Sequence, residues 1–164
     1  MIILNAFIIL FFVVFAIFVI KKKSRYERTI VEEENEIRRI NNNNVLLKDW
    51  LALKQKGVVL SEWFTRNNIS KVVLYGYGML GKAFYVEIMN SDIELIAIVD
   101  KNYEKIYSNV PAVGLDNIPE SDAIIVSVIN YFDDIERDLL GRCKCPIISL
   151  EDIIYGVGYR FDEQ

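Results

Sequence analysis

The chain has 164 residues, room for one domain of ordinary size plus extensions. Its net charge is −4, and residues 71–164 hold 8 Lys/Arg against 16 Asp/Glu, a poor surface for phosphate-rich nucleic acid. There is no histidine, which excludes histidine-based acid–base catalysis, and the two cysteines are too few to close a zinc site alone.

Residues 1–20 read as a transmembrane helix. Positions 2–20 are apolar except for Asn5, and nineteen helical residues span roughly 28 Å, close to the ~30 Å hydrocarbon core. Lys21, Lys22, Lys23 and Arg25 follow at once. A cleaved signal peptide would carry its basic residues before the apolar run and a small-residue cleavage site after it, and neither is present. The basic flank predicts a retained single-pass anchor at the cell membrane, with everything after it in the cytoplasm. The same cluster suits anionic lipid head groups.

Residues 21–44 read as a polar helical stalk or linker. Ile30, Ile37, Asn44 and Leu51 are spaced by seven, with Tyr26, Glu33, Ile40 and Leu47 in the other seam slots. That pattern fits a short parallel coiled coil and hence a homodimer, with Asn44 fixing register. A solvated stalk needing no partner accounts for it equally, and Glu33 interrupts the seam. Asn41 to Asn44 read as an interruption or a flexible joint.

Residues 45–70 read as two short helices packing on the domain. Leu46, Trp50 and Leu53 form a stripe over 45–56, widened by Leu47 and Leu51, with Gly57 as its stop. Ser61 is placed to cap a second helix over 62–66, with Trp63 and Phe64 as packing residues.

Residues 71–158 read as a nucleotide-binding domain, and 159–164 as a tail. Strands are expected at 72–75, 95–99, 111–113, 123–129 and 146–149, with helices at 80–89 and 132–140 and a last helical turn at 151–155. Proline makes the third strand an edge strand. Short, continuous apolar strands alternating with helices predict an α/β fold, a Rossmann-like parallel five-stranded sheet in order 3-2-1-4-5. Asp133 and Asp134 suit the helix dipole, which explains them without catalysis. Cys143 and Cys145 read as reduced, partly buried thiols.

The chemistry sits where the first strand ends. Val72 to Tyr75 run into Gly76, Tyr77, Gly78, Met79, Leu80 and Gly81, the pattern G-x-G-x-x-G, and Asp100 lies 19 positions past the last glycine. Gly76 permits a tight turn, Gly78 lets backbone approach a pyrophosphate, and Gly81 lets the helix lie close to the sheet. The helix N-terminus then offers free N–H groups to the phosphates. Asp100 is placed to accept ribose hydroxyls and to repel a 2′-phosphate, favouring NAD over NADP, slightly offset by Lys101. Tyr77 either covers the ligand or packs on the surface. Ser127 and Asn130, at the carboxyl end of the fourth strand, are either ligand contacts or turn residues. An empty cleft whose glycines serve the turn alone would show the same loop.

Residues 46–155 resemble the small Rossmann-like modules that accompany bacterial capsular and surface polysaccharide biosynthesis proteins. The resemblance rests on 71–82, on 98–102 with Asp100, on 118–127, and on 145–153 with Cys145 and Pro146. It implies that the glycine loop binds NAD(P) or a nucleotide sugar, and that the chain is accessory to a partner glycan-biosynthesis protein. The chain departs from the enzymes of that group. No tyrosine of the domain has a lysine four residues on, and no second domain holds a substrate. The glycine loop with Asp100 is also similar to the nucleotide-binding regulatory domains of potassium transport systems, which implies a separate channel subunit. The candidate functions are therefore a tethered binding module, an oxidoreductase or epimerase subunit completed by a partner chain, a nucleotide sensor, and a scaffold with an empty cleft.

Overall fold

The structure is a computed structural model that describes the backbone of residues 2–161, and the side chains of residue 15 and residues 17–158. The chain divides into two compact units, residues 1–41 and 42–164. Helix α1 spans Ile2–Gln55, 54 residues. Most side chains of the expected span over 2–20 lie outside the described residues. Among those described, no helix is long and apolar enough to cross a membrane.

In the first unit the helix carries surface pairs, Lys23 with Glu27 at 3.9 Å and Arg39 with Glu36. Tyr26, Ile30, Val31, Ile37 and Ile40 stand exposed along it. The expected break at Asn41 to Asn44 is absent, because the backbone is helical through all four. Asparagine is a weak helix former, but propensity is a prior that side-chain bonding overrides. Here Asn42 Nδ2 donates to Asn130 Oδ1 at 2.7 Å, and Asn130 Nδ2 donates to Asn43 Oδ1 at 3.2 Å. The stalk and the first of the two expected short helices are thus one element.

The second unit is built on five parallel strands: β1 (Lys71–Tyr75), β2 (Glu94–Val99), β3 (Ala112–Val113), β4 (Ala123–Val126) and β5 (Ile147–Ser149). Their order is β3-β2-β1-β4-β5, the order the sequence predicts. The helices are α2 (Ser61–Arg66), α3 (Met79–Ile88), α4 (Phe132–Leu139) and α5 (Leu150–Phe161). Period-2 alternation sorts the strands onto two faces. Val72, Leu74, Ala123 and Ile125 pack with Leu46 and Trp50 of α1, Phe64 of α2, Phe84 and Ile88 of α3, and Ile153 of α5. Val73, Ala97, Val99, Ile124 and Val126 pack with Leu139 of α4 and with half-buried Cys143 and Cys145. All four residues of β4 are buried, as a central parallel strand requires.

Four local details differ from expectation or refine it. α1 stops at Gly57 (φ +83°) as expected, with Val58 N–H bonded to Leu53 O and Gly57 N–H to Lys54 O, a Schellman end. Ser61 does not cap α2; Leu60 holds the N-cap position, and its N–H donates to the Glu87 carboxylate at 3.1 Å. β4 ends at Val126 instead of running to 129, because Ser127 turns inward and residues Ile129–Tyr131 form a single 3-10 turn. The last helix is a full 12 residues instead of a single turn over 151–155. Its two glycines explain the underestimate: a Cβ on Gly156 would lie 3.1 Å from Trp63 Nε1, and one on Gly158 3.4 Å from Leu53. They are helix-poor residues that let α5 sit close to α2 and α1.

Candidate functional site

The three glycines of the loop do different work. Gly76 has φ +90°, and its N–H continues the ladder to Val99 O at 2.8 Å. A Cβ there would meet Val128 Cγ2 at 2.4 Å. A Cβ on Gly81 would stand 2.2 Å from Gly76 O and 2.9 Å from Ser127 Oγ. These two are therefore demanded by the fold. Gly78 is not. It is the N-cap of α3 at φ −75°, ψ −157°, a backbone any residue adopts, and a Cβ would find nothing within 4 Å.

The remaining loop residues divide between core and surface. Leu80 is 2% exposed and belongs to the core, so its side chain does not line the site, whereas Met79 is exposed at the first turn of α3. Tyr77 packs edge-on against Tyr85, ring centroids 5.7 Å apart at 86°, with Lys82 Nζ 5.8 Å from its ring centre. Burial, and then Tyr85, pushes the Tyr77 phenol above its ordinary 10.0, so it stays protonated. Tyr77 thus lies against the domain and forms one wall of the cleft.

Asp100 lies in the loop region as the spacing predicts, but both its oxygens serve backbone. Oδ2 accepts the Tyr77 N–H at 2.9 Å, and Oδ1 accepts the Asn102 N–H at 2.8 Å. The carboxylate ties the glycine loop to the end of β2 while retaining lone pairs on its open side. Ser127 is buried at 5% exposure, and its hydroxyl donates to Gly76 O at 2.9 Å and is 3.2 Å from Tyr75 O. It fastens β4 to the turn and does not present its hydroxyl to a ligand. Asn130 is bonded to Asn42 and Asn43.

Beside the open face of Gly78 lies a cleft of about 510 Å³, lined by Tyr77, Gly78, Lys82, Asp100, Asn102 and Lys105. Tyr107, 95% exposed, stands at its edge. Lys82 and Lys105 form no ion pair among the described residues. Sequence reasoning missed Lys82, Asn102 and Lys105 as site residues. Lys82 sits one position past Gly81, so its place in the first turn of α3 was available as a signal. Lys105 arrives only through the irregular turn after β2, which no periodicity marks.

A second cavity, of about 370 Å³, lies near Ser121, Cys143 and Cys145. Both thiols are free, and burial together with the neighbouring Cys145 raises Cys143 above its ordinary 9.0. A thiol raised in this way is a poor nucleophile at neutral pH.

A carboxylate-braced loop, a helix N-terminus, a residue with unclaimed space above it and two lysines thus meet at the carboxyl edge of a parallel sheet. No family model, no curated protein and no solved structure matches the chain.

Proposed function

We propose that this chain is a membrane-tethered, cytoplasmic nucleotide-binding module that holds NAD(H) or a nucleotide sugar by its pyrophosphate over Gly78. The observation that carries the reading is the contrast among the glycines. Packing accounts for Gly76 and Gly81, while Gly78 has open space where a side chain would stand. Empty room above a helix N-terminus, flanked by Lys82 and Lys105, suits two linked phosphates.

The tether is argued from the apolar run over 2–20 and the lysines behind it. Phe15, Phe18 and Ile20 are exposed at 54%, 61% and 67%, an apolar surface next to Lys21, Lys22 and Lys23 that suits the lipid boundary. The absence of a Tyr-x-x-x-Lys pair favours an accessory role beside a separate enzyme, in keeping with the resemblance to surface-polysaccharide modules.

Calorimetric titration of the detergent-solubilised full chain with NAD, NADH, UDP-sugars and ATP tests the binding. At least one of them should bind. Gly78→Val should abolish that binding while the chain stays folded, with a melting temperature only slightly lowered: its Cβ meets no protein atom, and valine is a poorer N-cap than glycine. Silence from all four ligands, or a valine variant that binds as well as the parent, would refute the reading.

A further inference from the structure

We infer that the cleft takes a single nucleoside diphosphate unit, free or sugar-linked, and not a dinucleotide. The inference rests on the nucleotide-binding reading above and narrows it. A dinucleotide lies across the crevice where strand order reverses, with one half on each side of the glycine loop. In this sheet the reversal is between β1 and β4. The two sides of the loop are not alike.

On the β4 side the chain fills the place with its own groups. The Ser127 hydroxyl is spent on the carbonyl of Gly76, and Val128 Cγ2 lies only 2.4 Å from where a Cβ on Gly76 would be. The Asn130 amide is bonded through both its oxygen and its nitrogen, to Asn42 and Asn43 of α1. A second nucleoside there would have to displace a reciprocal amide pair.

On the β2 side the loop opens onto the cleft of about 510 Å³. Lys82 and Lys105 supply two positive charges for the two linked phosphates. Asp100 keeps lone pairs for ribose hydroxyls, and the exposed ring of Tyr107 offers a face on which a base can stack. These are the parts of one nucleoside site with its phosphates.

The test is a calorimetric series on the detergent-solubilised full chain with UDP, ADP, UDP-glucose, NAD and NADH. A nucleoside diphosphate, free or sugar-linked, should bind at least about tenfold more tightly than either dinucleotide. UDP-glucose against UDP tells the sugar-linked source from the free one. Lys105→Gln should weaken the diphosphate by about tenfold and flatten the salt dependence of its affinity. Asn130→Ala should leave the diphosphate affinity in place and raise that of NAD. If NAD or NADH binds as tightly as the diphosphates, the inference is overturned and the nucleotide-binding reading stands. If none of the five binds, that reading falls as well. The ranking on the unaltered chain decides the matter even where a variant fails to fold.

Discussion

Gly76 and Gly81 are one packing unit with Ser127. The carbonyl of Gly76 sits where a side chain on Gly81 would go, and the Ser127 hydroxyl donates to that same carbonyl. Gly81→Ala should therefore cost about 3 kcal/mol, the upper end for forcing a methyl group into a filled site. Denaturant unfolding measures it. Gly78→Ser should behave in the opposite way. Serine is a better N-cap than glycine by a few tenths of a kcal/mol, and its Cβ meets nothing, so stability should hold or rise slightly while nucleotide affinity falls. The spacing of the glycines was legible in the sequence, but their division of labour was not. G-x-G-x-x-G reads the same whether each glycine answers to a ligand or to a neighbouring carbonyl. Asp100 shows the same limit: its position past the strand was legible, and its bonds to Tyr77 and Asn102 depend on a turn geometry that residue types leave open.

At the scale of elements, two carboxylates with no part in the glycine motif hold the domain's pieces together. Glu87 of α3, with its side chain 10% exposed, accepts the Trp50 indole N–H at 3.2 Å and the Leu60 N–H at 3.1 Å, and pairs with Lys54 at 3.2 Å. One side chain thus joins α1, the start of α2 and α3. Glu87→Ala strands two donors and a cation, and should cost about 2 kcal/mol by thermal or denaturant unfolding. Asp122 does similar work at the amino ends of β1 and β4. Its Oδ2 accepts the Ser70 and Lys71 N–H groups at 2.9 and 2.8 Å and the Ser70 hydroxyl at 2.9 Å. Those bonds, led by the backbone N–H of Ser70, hold its carboxyl below the ordinary 3.8. A depressed folded-state value stabilises the fold above the unfolded value near 3.8, and the stabilisation disappears as pH falls through the lowered one. Asp122→Asn should lower the melting temperature at pH 7 and shrink its decline between pH 5 and 3. A parallel decline in parent and variant would contradict this. Neither carboxylate announces itself in the sequence, because each draws its partners from segments 27 to 52 positions away.

For the whole molecule, the order of the sheet was legible because the strands are short apolar runs separated by helices, and buried parallel strands have that composition. The extent of α1 was not, because four asparagines read as a joint while the bonds from Asn42 and Asn43 to Asn130 lie outside any local pattern. Pairing of two copies through residues 21–44, the coiled-coil reading, would use the exposed seam residues Ile30 at 37%, Ile37 at 68% and Ile40 at 48%. Analytical ultracentrifugation of the detergent-solubilised chain should then find a dimer, and Ile37→Asn should shift it to monomer with an unchanged melting temperature. A monomeric parent would leave the helix a solvated stalk.

One core cluster joins the start of the folded unit to its finish: Leu46 and Trp50 of α1 are buried with Ile153, Ile154 and Val157 of α5. Synthesis runs in one direction, so a greasy stripe made early waits about a hundred residues for its cover. β1 likewise waits for β4, whose first residue is made 48 positions after β1 ends. The sheet and the apolar face therefore close late, only once β5 and α5 have been made. A chain that stops before α5 would leave part of that stripe uncovered, a ready substrate for chaperones and proteases.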